Sequence, residues 1–276
     1  MKVKYQIFCK SFFLSFIIFA VIAGIVLTSF YVKVNKIDPV NNESNIMLGV
    51  VDNDKIVSLS VINLNPAEKT IKFLPIPDKT LLYNNDNVLL QDLYNKNNTQ
   101  NLQNVVEKLI GAKIDRYLFI SVDGVANFTN QMLAKENTQL LCQILYKFSY
   151  NGAEYSSYCT IDSGEVAKAM FLSSSYSSSE NVSFADVGIK FVQSLFSAYA
   201  KPSSAEKLAN VLNSTELKNH INTNLNKKEI NAYGDLLAKC DKYSLTVINI
   251  SGKNISTSSS SYFVPDNINS DKNIFK

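Results

Sequence analysis

The sequence predicts an α/β/α sandwich with a mixed central sheet, preceded by one transmembrane helix. Three observations predict it. An apolar run at 11–32 carries no charged residue. Short apolar, strand-like runs come early in the chain, with segments of helical period between and after them. Finally, Asn151-Gly152, the strongest short hairpin signal, lies between two further strand-like runs. No internal repeat is visible.

The first element is the apolar run. At 1.5 Å rise per residue it is long enough to cross a hydrocarbon core of roughly 30 Å. Lys2, Lys4 and Lys10 precede it, and Lys33, Lys36, Asp38 and Glu43 follow, a modest bias towards a cytoplasmic N-terminus. A cleaved leader is the competing reading. The run exceeds the apolar core of a leader, roughly 7–15 residues, and no small-x-small site follows it, which favours an uncleaved anchor. The expected order is a cytoplasmic end at 1–10, an anchor at 11–32, a polar stalk with Pro39 at 33–44, an extracytoplasmic domain at 45–252 and a loose tail at 253–276. This places the protein in the cell membrane as a single-pass chain.

In the domain, strands are expected at 46–51, 56–64 and 70–76, with Asn65-Pro66 breaking the chain after the second. Residues 81–94 are weakly amphipathic. Leu102, Val105, Val106, Leu109 and Ile110 recur at helical spacing over 100–110, and Gly111 closes that helix. A strand at 117–122 and a helix at 125–133 follow. The runs 142–150 and 155–161 flank the Asn151-Gly152 turn. Helices are expected at 164–172, 187–200, 203–212, 215–225 and 227–240. The last is opened by an Asn226-x-x-Glu229 capping box. Residues 173–183 form a Ser-rich loop, 244–250 a final strand, and the Ser- and Asn-rich end has no apolar period.

Composition narrows the chemistry. Apolar residues make up 46% and charged residues 18%, enough for a large core. The formal charge of +3 gives no case for nucleic acid. Arg116 is the only arginine; every other one of the 27 basic residues is lysine. A Lys cannot replace the bidentate guanidinium fork. His220 is the single histidine, no Gly-x-Ser-x-Gly occurs, and Gly is scarce at nine residues, so neither a triad nor a Gly-rich phosphate cradle is expected. Of the four cysteines, Cys9 borders the apolar run and Cys240 ends a helix. Cys142 and Cys159 flank the hairpin; a two-residue turn would set them diagonally, Cys142 facing Ile161 and Cys159 facing Ile144. A disulfide and a pair of buried thiols both fit them.

Several segments resemble the LytR-CpsA-Psr family of cell-envelope proteins. Asn45-Ile46-Met47-Leu48-Gly49-Val50 is similar to the family's "nillvG". Residues 58–66, then Thr70-Ile71-Lys72-Phe73-Leu74-Pro75-Ile76-Pro77-Asp78-Lys79-Thr80, are similar to "R-S-D-T-I-M-L-V-S-I-N-P" and "v-x-x-l-S-I-P-R-D-T". Residues 105–120 resemble "v-x-x-l-l-G-x-x-I-D-x-Y-v-x-i-d-x-x-g-f". Asp162-Ser163-Gly164-Glu165 resembles "l-d-G-e", and 208–226 resembles "l-l-x-x-v-x-T-n-l-s". The resemblance covers about 45–252.

The resemblance implies an α/β/α domain outside the membrane with a long hydrophobic pocket for a polyprenyl chain. It also implies an enzyme that moves a glycopolymer phosphate from a polyprenyl pyrophosphate carrier onto peptidoglycan. In such enzymes arginines clamp the pyrophosphate, and aspartates with a divalent metal, Mg2+ if the protein is catalytic, balance its charge. The residues here depart from that pattern. The first Arg-x-Asp falls near Lys55-Ile56-Val57, Pro-Arg-Asp has become Pro77-Asp78-Lys79, and the later Arg-x-Arg falls on Leu172-Ser173-Ser174. Within 185–193 only Asp186 and Gln193 match. Arg116 reads as a surface residue at a strand edge.

The candidates that remain are Asp78 and Lys79 at the family's catalytic corner, and Lys55 as a point charge for a phosphate. Asp52 and Asp54 could hold a metal with Asp78. Phe119, Phe128, Phe171, Phe191 and Phe196 lie on segments that would line the pocket. Solvated turn residues and ordinary core aromatics explain the same positions. Three functions stay open. The first is a membrane-anchored binder of polyprenyl-phosphate lipid or cell-wall polymer with a degenerate catalytic site. The second is an active phosphotransferase working with lysines. The third is a non-catalytic partner of other envelope proteins.

Overall fold

The computed structural model describes residues 42–77, 79–82, 88–136, 139–237, 239, 242–256, 261–266 and 272–276. The expected anchor, most of the stalk, Asp78, Cys9 and Cys240 lie outside the described residues. Among those described, no helix is long and apolar enough to cross a membrane.

In chain order the elements are β1 (Ser44–Asp52), β2 (Lys55–Asn65), β3 (Thr70–Ile76), β4 (Leu81–Leu82), β5 (Val88–Leu89), a 3-10 turn at Leu90–Leu93, α1 (Gln100–Ile110), β6 (Arg116–Ser121) and α2 (Val122–Glu136). Next come β7 (Leu140–Gln143), β8 (Phe148–Tyr150), β9 (Ala153–Tyr155), β10 (Tyr158–Ile161), α3 (Gly164–Ala169), a 3-10 turn at Ser173–Ser175 and α4 (Phe184–Tyr199). The chain ends with α5 (Pro202–Leu212), α6 (Thr215–Lys218), β11 (Ile221–Thr223), α7 (Lys227–Leu237), β12 (Ser244–Val247), β13 (Gly252–Ser256) and β14 (Ser261–Pro265).

A mixed six-stranded sheet in the order β11-β6-β1-β2-β3-β12 forms the middle layer. β1 runs parallel to β6 and β3 parallel to β12, and the other pairs are antiparallel. The strand alternation that predicted the sheet also sorts its faces. Met47, Leu59, Val61, Leu74 and Phe119 point to one face, where Leu102, Val106, Leu109 and Ile110 of α1 cover them. On the other face Val122, Val125, Phe128, Phe171, Val187 and Phe191 gather with the β7–β10 ribbon. Helices therefore cover both faces of a mixed sheet, as expected.

Local chemistry fixes the turns. Asn53 and Asp54 both have positive φ (47° and 60°), the pair of left-handed residues that a tight hairpin between β1 and β2 requires. Beyond that turn the pairing steps from Val51↔Ile56 to Val50↔Ser58, so Val57 is a bulge. The extra residue turns Ile56 towards one face while Ser58 and Ser60 face the other. Asn151 and Gly152 make the expected hairpin, Tyr150 opposite Ala153.

Four expectations are corrected. The ribbon is not continuous: its pairing slips between the outer and inner strands, so Cys142 lies directly opposite Cys159 rather than diagonal to it. Both are free, buried thiols. The helix expected at 215–225 stops after one turn, and Ile221, Asn222 and Thr223 instead pair with Ile120, Phe119 and Leu118, because a sheet edge was available to β-branched residues. The described residues of the tail carry structure. β13 and β14 pair, Phe275 is buried with the α1 core, and the Ile274 amide donates to the Ile110 carbonyl at 3.0 Å.

Arg116 is the fourth correction. It opens β6, where it pairs with Ile46 of β1, and its guanidinium donates to the Glu229 carboxylate, which is buried. Glu229 is also the second half of the capping box: its Oε2 accepts from the Asn226 amide at 2.9 Å, and the Asn226 Oδ1 accepts from the Glu229 amide at 3.0 Å. The single arginine thus ties the start of α7 to the sheet.

Candidate functional site

Between the second face of the sheet and α2, α4 and α5 lies an apolar cavity of about 230 Å3. β1 supplies Leu48 and Val50 to its floor, β6 supplies Leu118 and Ile120, and β2 supplies Ser58, Ser60 and Ile62. Phe128 of α2, Phe191, Val192, Leu195 and Phe196 of α4, and Leu208 and Leu212 of α5 form its walls. The amphipathic pattern of α4 places these residues on one side, and Ser183 starts the helix by accepting from the Asp186 amide at 3.5 Å. Gly188 sets how closely α4 can approach. A Cβ there would meet the Ser58 hydroxyl oxygen at 2.2 Å.

An open cleft of about 590 Å3 lies at the end of β1 and the start of β2. Phe171 lines both the cleft and the cavity, and its ring meets Phe191 edge-on at 5.7 Å. Asp52, Asn53, Lys55, Lys79, Gln91, Glu180, Asn181 and Tyr176 line the cleft, with serines from 173–178. The Ser-rich loop therefore forms one rim, and the β1–β2 turn forms the other.

The fold brings together most of the expected site residues. Lys55, Lys79 and Asp52 share the cleft, and Phe128 and Phe171 line the cavity. Lys55 is engaged by Asp92 at 3.4 Å in an exposed pair, a contact of little strength. Lys79 stands in the left-handed region at φ 54°. Phe119 is a correction: alternation sends it to the opposite face, against Tyr94 and Tyr117, in the space that Gly49 leaves by lacking a Cβ. Asp54 does not line the cleft. Burial, and behind it the charge of Asp54, raises the Tyr94 phenol on the closed side of the sheet.

The electrostatics of the cleft are mixed rather than cationic. Lys55 and Lys79 stand beside Asp52 and Glu180. Arg116 pairs in the sheet with Ile46, at the other end of β1 from Asp52 and so roughly 20 Å from the cleft. No guanidinium reaches the site. Among the described residues no three His, Cys, Asp or Glu side chains group to hold a metal ion; Asp78, the third carboxylate of the expected set, lies outside them. Tyr176 is held by burial well above the usual phenol range, and its hydroxyl donates to the Met170 carbonyl at 2.7 Å, which fixes the ring as a wall of the cleft. His220 lies elsewhere, its Nδ1 3.1 Å from the Ser121 hydroxyl that accepts from the Gly124 amide at the start of α2.

No protein-family model and no curated protein sequence matches the chain. Solved structures do. TagV of Bacillus subtilis shares 18% identity over 82% of this chain and 92% of its own, with a TM-score of 0.63. TagU of the same organism shares 16% identity over 82% and 90%, with a TM-score of 0.56. A protein of Enterococcus faecalis described as a transcriptional regulator shares 13% identity over 84% of each chain, with a TM-score of 0.60. TagV and TagU belong to the LytR-CpsA-Psr family. This chain has the LytR-CpsA-Psr fold. The expected scaffold is therefore present at low sequence identity, and the cavity and cleft lie within it.

Sequence reasoning passed over Ser58, Ser60, Gly188, Gln91 and Asn181. The serines carried a usable signal: Ser-Leu-Ser between apolar neighbours puts two hydroxyls on one face of the sheet. The others had none, because Gly188 matters only through what approaches it, and the cleft residues come from four separate segments.

Proposed function

We propose that this protein is a membrane-anchored, extracytoplasmic component of cell-envelope glycopolymer assembly that binds a polyprenyl-phosphate lipid, or the polymer it carries, without transferring it. One observation carries this reading: an apolar cavity meets, at Phe171, a polar cleft that holds two lysines and no guanidinium. The cavity suits a hydrocarbon chain and the cleft a polar head. Lysine meets a phosphate as a point charge but does not fork around it. In-line transfer of a phosphoryl group depends on fixed, converging positive charge, which this cleft lacks. The TagV and TagU scaffold supports the envelope setting.

The test uses the full chain in nanodiscs, a pyrophosphate-linked prenyl lipid and magnesium. Expected are saturable binding and no release of phosphate or polymer. Leu195→Trp, which fills the cavity from α4, should weaken binding at least about tenfold with the melting temperature little changed. Turnover that Lys79→Ala abolishes would overturn the non-catalytic reading in favour of a lysine-based transferase. Binding untouched by Leu195→Trp would remove the cavity from the proposal.

A further inference from the structure

The cavity floor contains an anomaly that an all-hydrocarbon ligand does not explain. Ser58 and Ser60 are 4% and 8% exposed, lie on a central strand and line the cavity, and among the described residues neither hydroxyl has a hydrogen-bond partner in the protein. They are not among the sealed, unpartnered polar atoms of the core, so both open on the cavity, and a hydroxyl facing apolar space needs an explanation. Water alone serves them poorly: apart from the Tyr199 phenol the remaining lining is apolar, and an ordered water makes roughly 2–4 hydrogen bonds. Contact with α4 does not satisfy the pair either: Gly188 lets bare backbone pass close over the Ser58 hydroxyl, but no hydrogen bond to it forms.

The position of the pair specifies what it would receive. Spaced as i and i+2, both hydroxyls point the same way. Ser58 lies roughly 10 Å along β2 from Lys55 at the cleft, and Ser60 roughly 17 Å. A polar head in the cleft therefore places the start of its chain beside Ser58 and the chain itself beyond it. We infer that Ser58 and Ser60 donate hydrogen bonds to the ester or carboxyl carbonyl of an acyl lipid, giving the cavity a second ligand class that it prefers to a carbonyl-free chain. This rests on the lipid-binding reading of the cavity. It differs from it in the chain, since a prenyl chain leaves both hydroxyls unpaired.

The experiment uses the full chain in nanodiscs of a diether phospholipid, which has no carbonyl of its own. Three probes are titrated: 1-tetradecanoyl-glycerol phosphate, its 1-tetradecyl ether analogue and geranylgeranyl phosphate. The natural chain should bind the ester about tenfold more tightly than the ether. The double substitution Ser58→Ala with Ser60→Ala should bring the two within about twofold and leave ether binding unchanged. A carbon-13-labelled ester supplies a readout that needs no variant, because its carbonyl stretch should fall in frequency on binding. Equal binding of ester and ether, or a preference that survives the double substitution, overturns the inference. Binding of geranylgeranyl phosphate alone overturns it while leaving the proposed function standing; binding of none of the three overturns both.

Discussion

On the α1 side of the sheet, Leu102, Val106, Ile110, Phe119 and Phe275 close over the strands, and Gly49 even surrenders its side chain so that the Phe119 ring can lie flat. On the α4 side the same strands carry two unpartnered serines beneath an unfilled space. The strands and the alternation are shared, so the backbone does not cause the difference. The side chains do. A glycine on the first face lets a ring fill space, whereas Gly188 on the second lets α4 pass close to a hydroxyl. One face is closed by packing, and the other keeps an apolar cavity beneath α4.

Core substitutions should expose that division most strongly. Phe119→Ala removes a ring buried on the closed face and should cost about 3–5 kcal/mol. Phe128→Ala on the cavity side should cost about 2 kcal/mol or less, since part of that ring already faces empty space. Urea unfolding of the full chain measures both, and equal costs would break the comparison. Next in size is Glu229→Gln, expected to cost about 2 kcal/mol. It strips Arg116 of its carboxylate and weakens the capping box, with the penalty moderated because Arg116 is one-third exposed.

The buried thiols test the part of the second face that is closed. Burial raises Cys142 from 9.0 to about 11 and Cys159 to about 12. The folded state therefore keeps its protons where the unfolded chain has lost them. This contribution is whole below pH 9 and is lost as pH climbs towards 11–12, at up to about 1.4 kcal/mol per pH unit for each thiol. Replacing both with Ala should flatten the alkaline fall in stability, measured by urea midpoints between pH 8 and 11.

Elements with a strong local signal were readable from the sequence. The Gln100–Ile110 helix, the Asn151-Gly152 turn and the Asn226–Glu229 box all form, because each is decided by residues within a few positions of one another. What the sequence misled on depended on distant partners. Ile221–Thr223 had helical neighbours but a free strand to pair with, and Phe275 had no local pattern but a hydrophobic space to enter. The site divides in the same way. Lys55 and Lys79 could be placed by motif position, whereas Phe119 could not be assigned to a face without knowing which way its strand lay.

The smallest expected effect bears most directly on the contrast between the faces. Ser58→Ala or Ser60→Ala removes a hydroxyl that has no partner in the ligand-free protein, so each should raise stability by up to about 1 kcal/mol. Asn63, on the same strand but turned to the other face, donates to Glu43 at 2.8 Å and to Asn45 at 2.9 Å. Asn63→Ala should therefore destabilise, leaving the Asn45 amide oxygen without its donor. Opposite signs are then expected from the two faces of one strand. They would come from whether the hydrogen bond is made within the protein or left for something else to make. If both serine variants were destabilised as well, the hydroxyls would have partners inside the fold, and the second face would be packed to the same rule as the first.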